Sequence, residues 1–185
     1  MSWCAIYTYI IEKSGTTETH TYTRIVDIDG TPTQVVSSFT TDVSSTKTLT
    51  NITYNIDVKK VIIPDYLEII AVEGSFYMGQ FTPIIASNTV EEVVLPEGLI
   101  SIKSYSFARM RSLKSVFIPA SVTSIEVDAF YDSPLLNAIF EDPVGWSVTS
   151  LKWDPEVLSS TDLADPERAA GYLCSEYYSY SWIKS

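Results

Sequence analysis

The chain has 185 residues, 45% of them hydrophobic and 19% charged, which is enough apolar material to bury a core without a metal or disulfide staple. Its formal net charge of -11 and pI near 4.4 would repel phosphates and anionic lipid, so nucleic acid and membrane surfaces are excluded as expected partners. Thr, Ser, Tyr, Val and Ile are abundant, which favours strands over long amphipathic helices and predicts a mainly β protein.

The N-terminus reads MSWCAIYTYIIEKSG. No basic residue precedes its short apolar stretch, so an export signal is not expected. No run of the chain approaches the roughly 18 to 20 apolar residues of a membrane helix. Residues 1–57 alternate strand-like runs with turn signals: Cys4 to Ile11, a Ser14-Gly15 turn, Thr19 to Ile28, Asp29-Gly30, then Thr33 to Thr40. This pattern predicts a small antiparallel sheet, a β domain for attachment or capping. The Thr-rich stretch from Thr40 to Asn55 supplies one more strand. His20, the only histidine, has no nucleophile pattern beside it and is expected as an exposed strand residue. The Asp27-Ile28-Asp29-Gly30 sequence lacks the later acidic ligands of a calcium loop and reads as a hairpin turn, so no metal is expected.

Self-similarity dominates the middle of the chain. Val90 to Ser112 aligns without a gap on Leu113 to Leu135, a period of 23. Val93 meets Val116, Leu95 Ile118, Pro96 Pro119, Leu99 Val122, Ile102 Ile125, and Phe107 Phe130. An earlier copy from Val58 places Val61, Ile63, Pro64, Leu67, Ile70 and Phe76 in the same roles, and Tyr77 to Thr89 is then expected to bulge as a loop. A fourth, incomplete copy starts at Leu136 with Ile139 and Phe140 and stops near Trp146. A coil of this size cannot bury its own apolar face, so successive copies stack and share one core. Each begins with a short strand that the following Pro ends, because Pro offers no ladder donor.

These residues, and "IPASVTSIEVDAF" in particular, resemble the BspA-like leucine-rich-repeat family, whose repeats read as an apolar strand, a Pro, then Val-Thr-Ser-Ile and Ala-Phe. The resemblance covers residues 58–146 and implies a short leucine-rich-repeat solenoid. Lys103 and Glu126 depart from it, standing where the family often has Gly.

In residues 147–185, Asp165-Pro166-Glu167 is a helix start, with Asp as N-cap and Pro at the first helical position. Ala169, Ala170 and Leu173 mark its apolar face. Tyr172, Tyr177, Tyr178, Tyr180 and Trp182 suit packing of a C-terminal cap more than stacking on sugars. Cys4 and Cys174, the only cysteines, lie far apart without ligand-spaced neighbours and are expected as buried free thiols, with a disulfide between the two termini as the alternative.

No catalytic residue and no cofactor motif emerges. The seven glycines are scattered, and no acid pair is singled out by spacing. The informative feature is the outer face of the repeat strands. With Val93, Leu95 and their equivalents turned inward, strand alternation puts Ile62, Val94, Phe117 and Phe140 outside as an apolar ladder, beside Lys60, Glu92, Ser115 and Ala138. An apolar exposed face implies a cover. The N-terminal sheet or C-terminal tail folding back is the first expectation; self-association into an oligomer and binding of a protein, host receptor or glycan are the others. The function expected is therefore a non-enzymatic protein-interaction or attachment module. BspA-like proteins are often bacterial surface adhesins, and similar short repeat proteins occur in phage virions; the absence of an export signal favours a virion-associated fibre or decoration protein over an adhesin or an intracellular scaffold.

Overall fold

A computed structural model of the chain describes residues 5–15, 17–28, 31–42, 48–54, 60–62, 69–70, 90–150 and 154–185. It begins with β1 (Ala5–Ser14), β2 (Thr17–Ile28), β3 (Thr31–Asp42) and β4 (Thr48–Tyr54), which pair antiparallel in chain order, as the turn signals predict. Ser14 lies opposite Thr17, and Gly15 turns the chain between them at φ 62, a left-handed conformation that favours a residue without a Cβ. The Asp29-Gly30 turn lies outside the described residues, as do Phe76 and the loop expected at Tyr77 to Thr89.

Each of the first three copies contributes two strands and the last, incomplete copy one of the same kind. The first strands are β5 (Lys60–Ile62), β7 (Glu92–Val94), β9 (Ser115–Ile118) and β11 (Asn137–Phe140), which form a parallel four-stranded sheet. The second strands are β6 (Ile69–Ile70), β8 (Ser101–Ile102) and β10 (Ser124–Ile125), each two residues long and also parallel. They are joined on one side by β4 and on the other by the antiparallel strands β14 (Ser181–Lys184), β12 (Trp146–Thr149) and β13 (Glu156–Val157), making one ten-stranded sheet. The flanking segments thus continue the second sheet through backbone hydrogen bonds at both ends.

The core forms from rows of equivalent side chains. Val93, Val116 and Ala138 make one row and Leu95, Ile118 and Phe140 another, all buried; Leu99 and Val122, then Ile102 and Ile125, complete it. Phe107 and Phe130 lie one copy apart and stack with ring centroids 5.3 Å apart and planes at 20°. The stack ends on aromatic rings: Phe140 meets Trp146 edge-on at 5.3 Å, and Trp182 stacks on Phe140 at 6.1 Å. The helices α1 (Ser160–Leu163) and α2 (Pro166–Gly171) follow, the second with Asp165 as N-cap and Pro at its start, as its sequence predicts. A π-helical turn, Tyr172–Glu176, leads from α2 towards β14 and buries Tyr172 and Leu173.

Polar groups hold neighbouring copies in register at the corners. Ser133 is buried; its hydroxyl donates to the Phe107 carbonyl at 2.6 Å and accepts from the Met110 N–H at 3.0 Å, so one side chain satisfies two backbone groups of the preceding copy. Tyr105 and Asp128, 23 residues apart, both adopt positive φ, 61 and 58, and the Tyr105 hydroxyl donates to the Asp128 carboxylate at 2.8 Å. Lys103 and Glu126, the two departures from the family pattern, pair with each other. The Lys103 ammonium donates to Glu126 at 2.6 Å, and the Ser104 N–H and hydroxyl donate to its other oxygen at 3.1 and 3.0 Å. Burial pushes the Glu126 carboxyl upward, but the donors from Lys103 and Ser104 outweigh it and hold it below its ordinary 4.5. A lowered folded value means the stabilisation is present above 4.5 and is lost as the pH falls through the folded value. Because the pair is half-exposed, Glu126→Gln is expected to cost only about 0.5–1 kcal/mol at pH 7. The difference from wild type should close as the pH falls below 4.5, as read by urea midpoints at each pH.

Candidate interaction surface

Strand alternation gives the four-stranded sheet an inner and an outer face, and the register fixes which residues share each. Lys60, Glu92, Ser115 and Asn137 are neighbours across the sheet, and Ile62, Val94, Phe117 and Ile139 form the parallel row two residues on. Val94 and Phe117 are half-buried while Val93, Val116 and Ile118 beside them are buried, so the outward orientation expected for Val94, Phe117 and Glu92 holds. Lys60 and Ile62 take their places by backbone register; their side chains lie outside the described residues.

Phe140 does not belong to this row. It is 6% exposed, pairs with Ile118 and faces the core, and Ala138, expected beside the ladder, is fully buried opposite Val116. The outward residue is Ile139, 45% exposed. The cause is one missing residue. Phe107 is followed by buried Leu113 six positions on, whereas Phe130 is followed by buried Leu135 five positions on, across the Ser133-Pro134 turn. The step from β9 to β11 is therefore 22 residues, Ser115 to Asn137, and a constant period of 23 turns the last strand inside out. Leu136, equivalent to Lys114, is 60% exposed as a result.

Among the described residues, the flanking elements expected as a cover join the other sheet or the end of the row. β4 and β14 both join the ten-stranded sheet, and α2 packs against β11 at the end of the row. Between α2 and β11 lies an open groove of about 690 Å³ lined by Asn137, Thr161, Ala164, Asp165, Pro166 and Glu167. At the start of the first strands, Lys114 donates to Glu91 at 2.5 Å; at their far end, the Glu141 carboxylate accepts from the Ala120 N–H at 2.8 Å.

His20 lies in β2, opposite Ile11 on one side and Phe39 on the other, and its side chain is outside the described residues. Cys174 is free, and burial pushes its thiol up to about 11, so it is a thiol at neutral pH; Cys4 lies outside the described residues. Tyr172, Tyr177 and Tyr180 pack in edge-on contacts, and Trp182 is buried with its indole N–H donating to the Tyr177 carbonyl at 3.2 Å. Among the described residues no group of three or more His, Cys, Asp or Glu is placed to hold a metal ion, and no helix is long and apolar enough to cross a membrane.

Residues 86–146 match the family model described as BspA type Leucine rich repeat region (6 copies). They form a BspA-type leucine-rich-repeat segment. The match covers β7 through β11 and stops at Trp146, where the aromatic closure begins; the earlier copy at β5 and β6 precedes it and is tied to it by parallel pairing. No curated protein and no solved structure matches the chain. Leucine-rich repeats generally mediate protein interactions, so the match suggests a binding module in this segment.

The register has a sharp consequence for two adjacent residues. Phe140→Ala, which empties a core position, is expected to cost about 3–5 kcal/mol. Ile139→Ser, on the outer face, should stay within about 1 kcal/mol of wild type. Urea unfolding of the two variants checks this.

Proposed function

We propose that this chain is a non-enzymatic protein-interaction module, a short leucine-rich-repeat solenoid that binds through the outer face of its four-stranded sheet. The observation that carries the proposal is the in-register apolar row Val94, Phe117 and Ile139, with Ile139 45% exposed where a solvated sheet would carry polar side chains. The family match supports binding as the role of the segment, and speaks neither for nor against a virion.

Magnitudes define what the row can contribute. With strands about 4.8 Å apart, the described part of the row, from β7 to β11, spans only about 10 Å. A stable interface covers about 800 Å² per partner, so the row is the centre of a contact that must extend onto the strand ends and the groove beside α2. Fully burying a large apolar side chain contributes about 1.5–3 kcal/mol, and half-buried Phe117 and Val94 have already gained part of that. Association costs at least about 4 kcal/mol in lost freedom. The row alone therefore does not hold a partner, and polar groups around it must contribute. The ten-stranded sheet would keep this face rigid while residues 1–57 attach the module elsewhere.

A photo-crosslinking residue at position 139 tests the proposal, with the same residue at Val157 as control; Val157 is 80% exposed on the ten-stranded sheet and reports mere stickiness. In extracts of the native host, a discrete protein adduct is expected from position 139 and not from 157. Equal adducts from both positions, or none from 139, would count against it.

A further inference from the structure

A strand at the end of a sheet has hydrogen-bonding groups along one side that no neighbouring strand takes up. Among the described residues the two sheets end on four strands: β13, β5 and β11 have two, three and four residues, whereas β1 has ten. A short edge offers little to pair with, and longer edges are protected by bulges, Pro or charged side chains. β1 carries a bulge between Ile6 and Thr8, and Lys13 near its other end forms an ion pair with Glu18 of β2. The stretch between them, Thr8 to Glu12, pairs regularly with β2 and contains neither Pro nor Lys. Side chains alternate between the two faces of a strand, and Ile10 and Ile11 are 54% and 46% exposed, so each face of this edge shows a large apolar side chain to solvent.

What completes such an edge is another extended strand. The regular stretch is centred on Ile10, so a two-fold axis through Ile10 lays it antiparallel on its own copy and uses all of it. Ile10 then faces Ile10, Tyr9 faces Ile11 and Thr8 faces Glu12. No like charges stand opposite each other, and the only two charges of β1, Glu12 and Lys13, sum to zero in a chain whose net charge is -11. A foreign strand would be selected by its side chains, and this edge offers it one acid among uncharged residues, since Lys13 is held by Glu18. A copy brings the same length, the same bulge and the same exposed isoleucines by symmetry. We infer that β1 is a dimer interface, through which two copies join their ten-stranded sheets edge to edge over residues 8–12. The pairing uses no residue of the four-stranded sheet, so it stands or falls apart from the binding role of that sheet. It is also smaller than the roughly 800 Å² per partner of a stable interface, which makes the dimer weak and dependent on concentration.

Sedimentation of the full chain over a hundredfold range of concentration is expected to show monomer passing to dimer. Ile10→Lys, at an exposed position, should weaken the dimer at least tenfold, while Val157→Lys on the terminal strand β13 leaves it unchanged. Disulfide trapping in a Cys4→Ser, Cys174→Ala background then reads the register. Residues that face each other at the axis have Cα atoms about 4.5–5.5 Å apart, within disulfide reach, so Ile10→Cys should crosslink to its copy at least tenfold faster than Glu12→Cys. Position 12 faces position 8 and lies roughly 14 Å from its own copy. Should that background fail to fold, sedimentation alone decides. A chain that stays monomeric throughout overturns the inference, whether the edge is then bare or taken by a strand of another protein. So does a dimer that Ile10→Lys leaves intact, that Val157→Lys weakens equally, or that Ile139→Ser dissociates instead. Equal crosslinking at positions 10 and 12 overturns it as well.

Discussion

Each repeat has one apolar face and no second layer of its own, so its strand is stable only with the next copy placed against it in register. The consequences run through the molecule. Val93 must lie beside Val116, Phe107 must stack on Phe130, and Ser133 must reach back to the backbone of the copy before it. A slip of one residue would exchange buried and exposed rows along a whole strand. Lys103 with Glu126 and Tyr105 with Asp128 act against such a slip at the corners, and do so with side chains where a regular repeat could use a glycine.

A stack of so few copies has proportionally large ends. At the C-terminal end the last apolar strand meets Trp146 and Trp182, whose rings contact Phe140, and α2 packs against β11. At the other end β4 continues the second sheet through parallel pairing with β6. Both extensions use the sheet of two-residue strands. Among the described residues, the flanking strands join the ten-stranded sheet and not the four-stranded one, on whose outer face Ile139 is 45% exposed. Enclosure and display are divided between the two sheets of the same repeats.

Much of this is legible in the sequence because periodicity reports on neighbours. The spacing of 23 between Val93 and Val116, or Phe107 and Phe130, places those residues in common rows, and Asp165-Pro166 marks the start of α2. The error at Phe140 has a physical origin: periodicity carries no information about the length of a single turn, and the Leu135-Leu136 doublet fits either register. The signal that discriminates is polar. With a step of 22, Asn137 falls beside Ser115 and the strand alternates Asn, Ala, Ile, Phe as half-buried, buried, exposed and buried. The cover over the outer face was not legible, since a pattern of exposed apolar residues states that something belongs there without stating whether the chain itself supplies it. Pairing of Lys103 with Glu126 was equally hidden, because their separation of 23 becomes a contact only once the copies are stacked.

The claim on which the fold and the surface both depend is the 22-residue step from β9 to β11. Proton NMR distance contacts between backbone groups of neighbouring strands measure it directly in the full chain. The structure requires contacts pairing Phe117 with Ile139 and Ile118 with Phe140. Contacts pairing Phe117 with Phe140 would contradict it, turning the last strand over and dissolving the row that ends on Ile139.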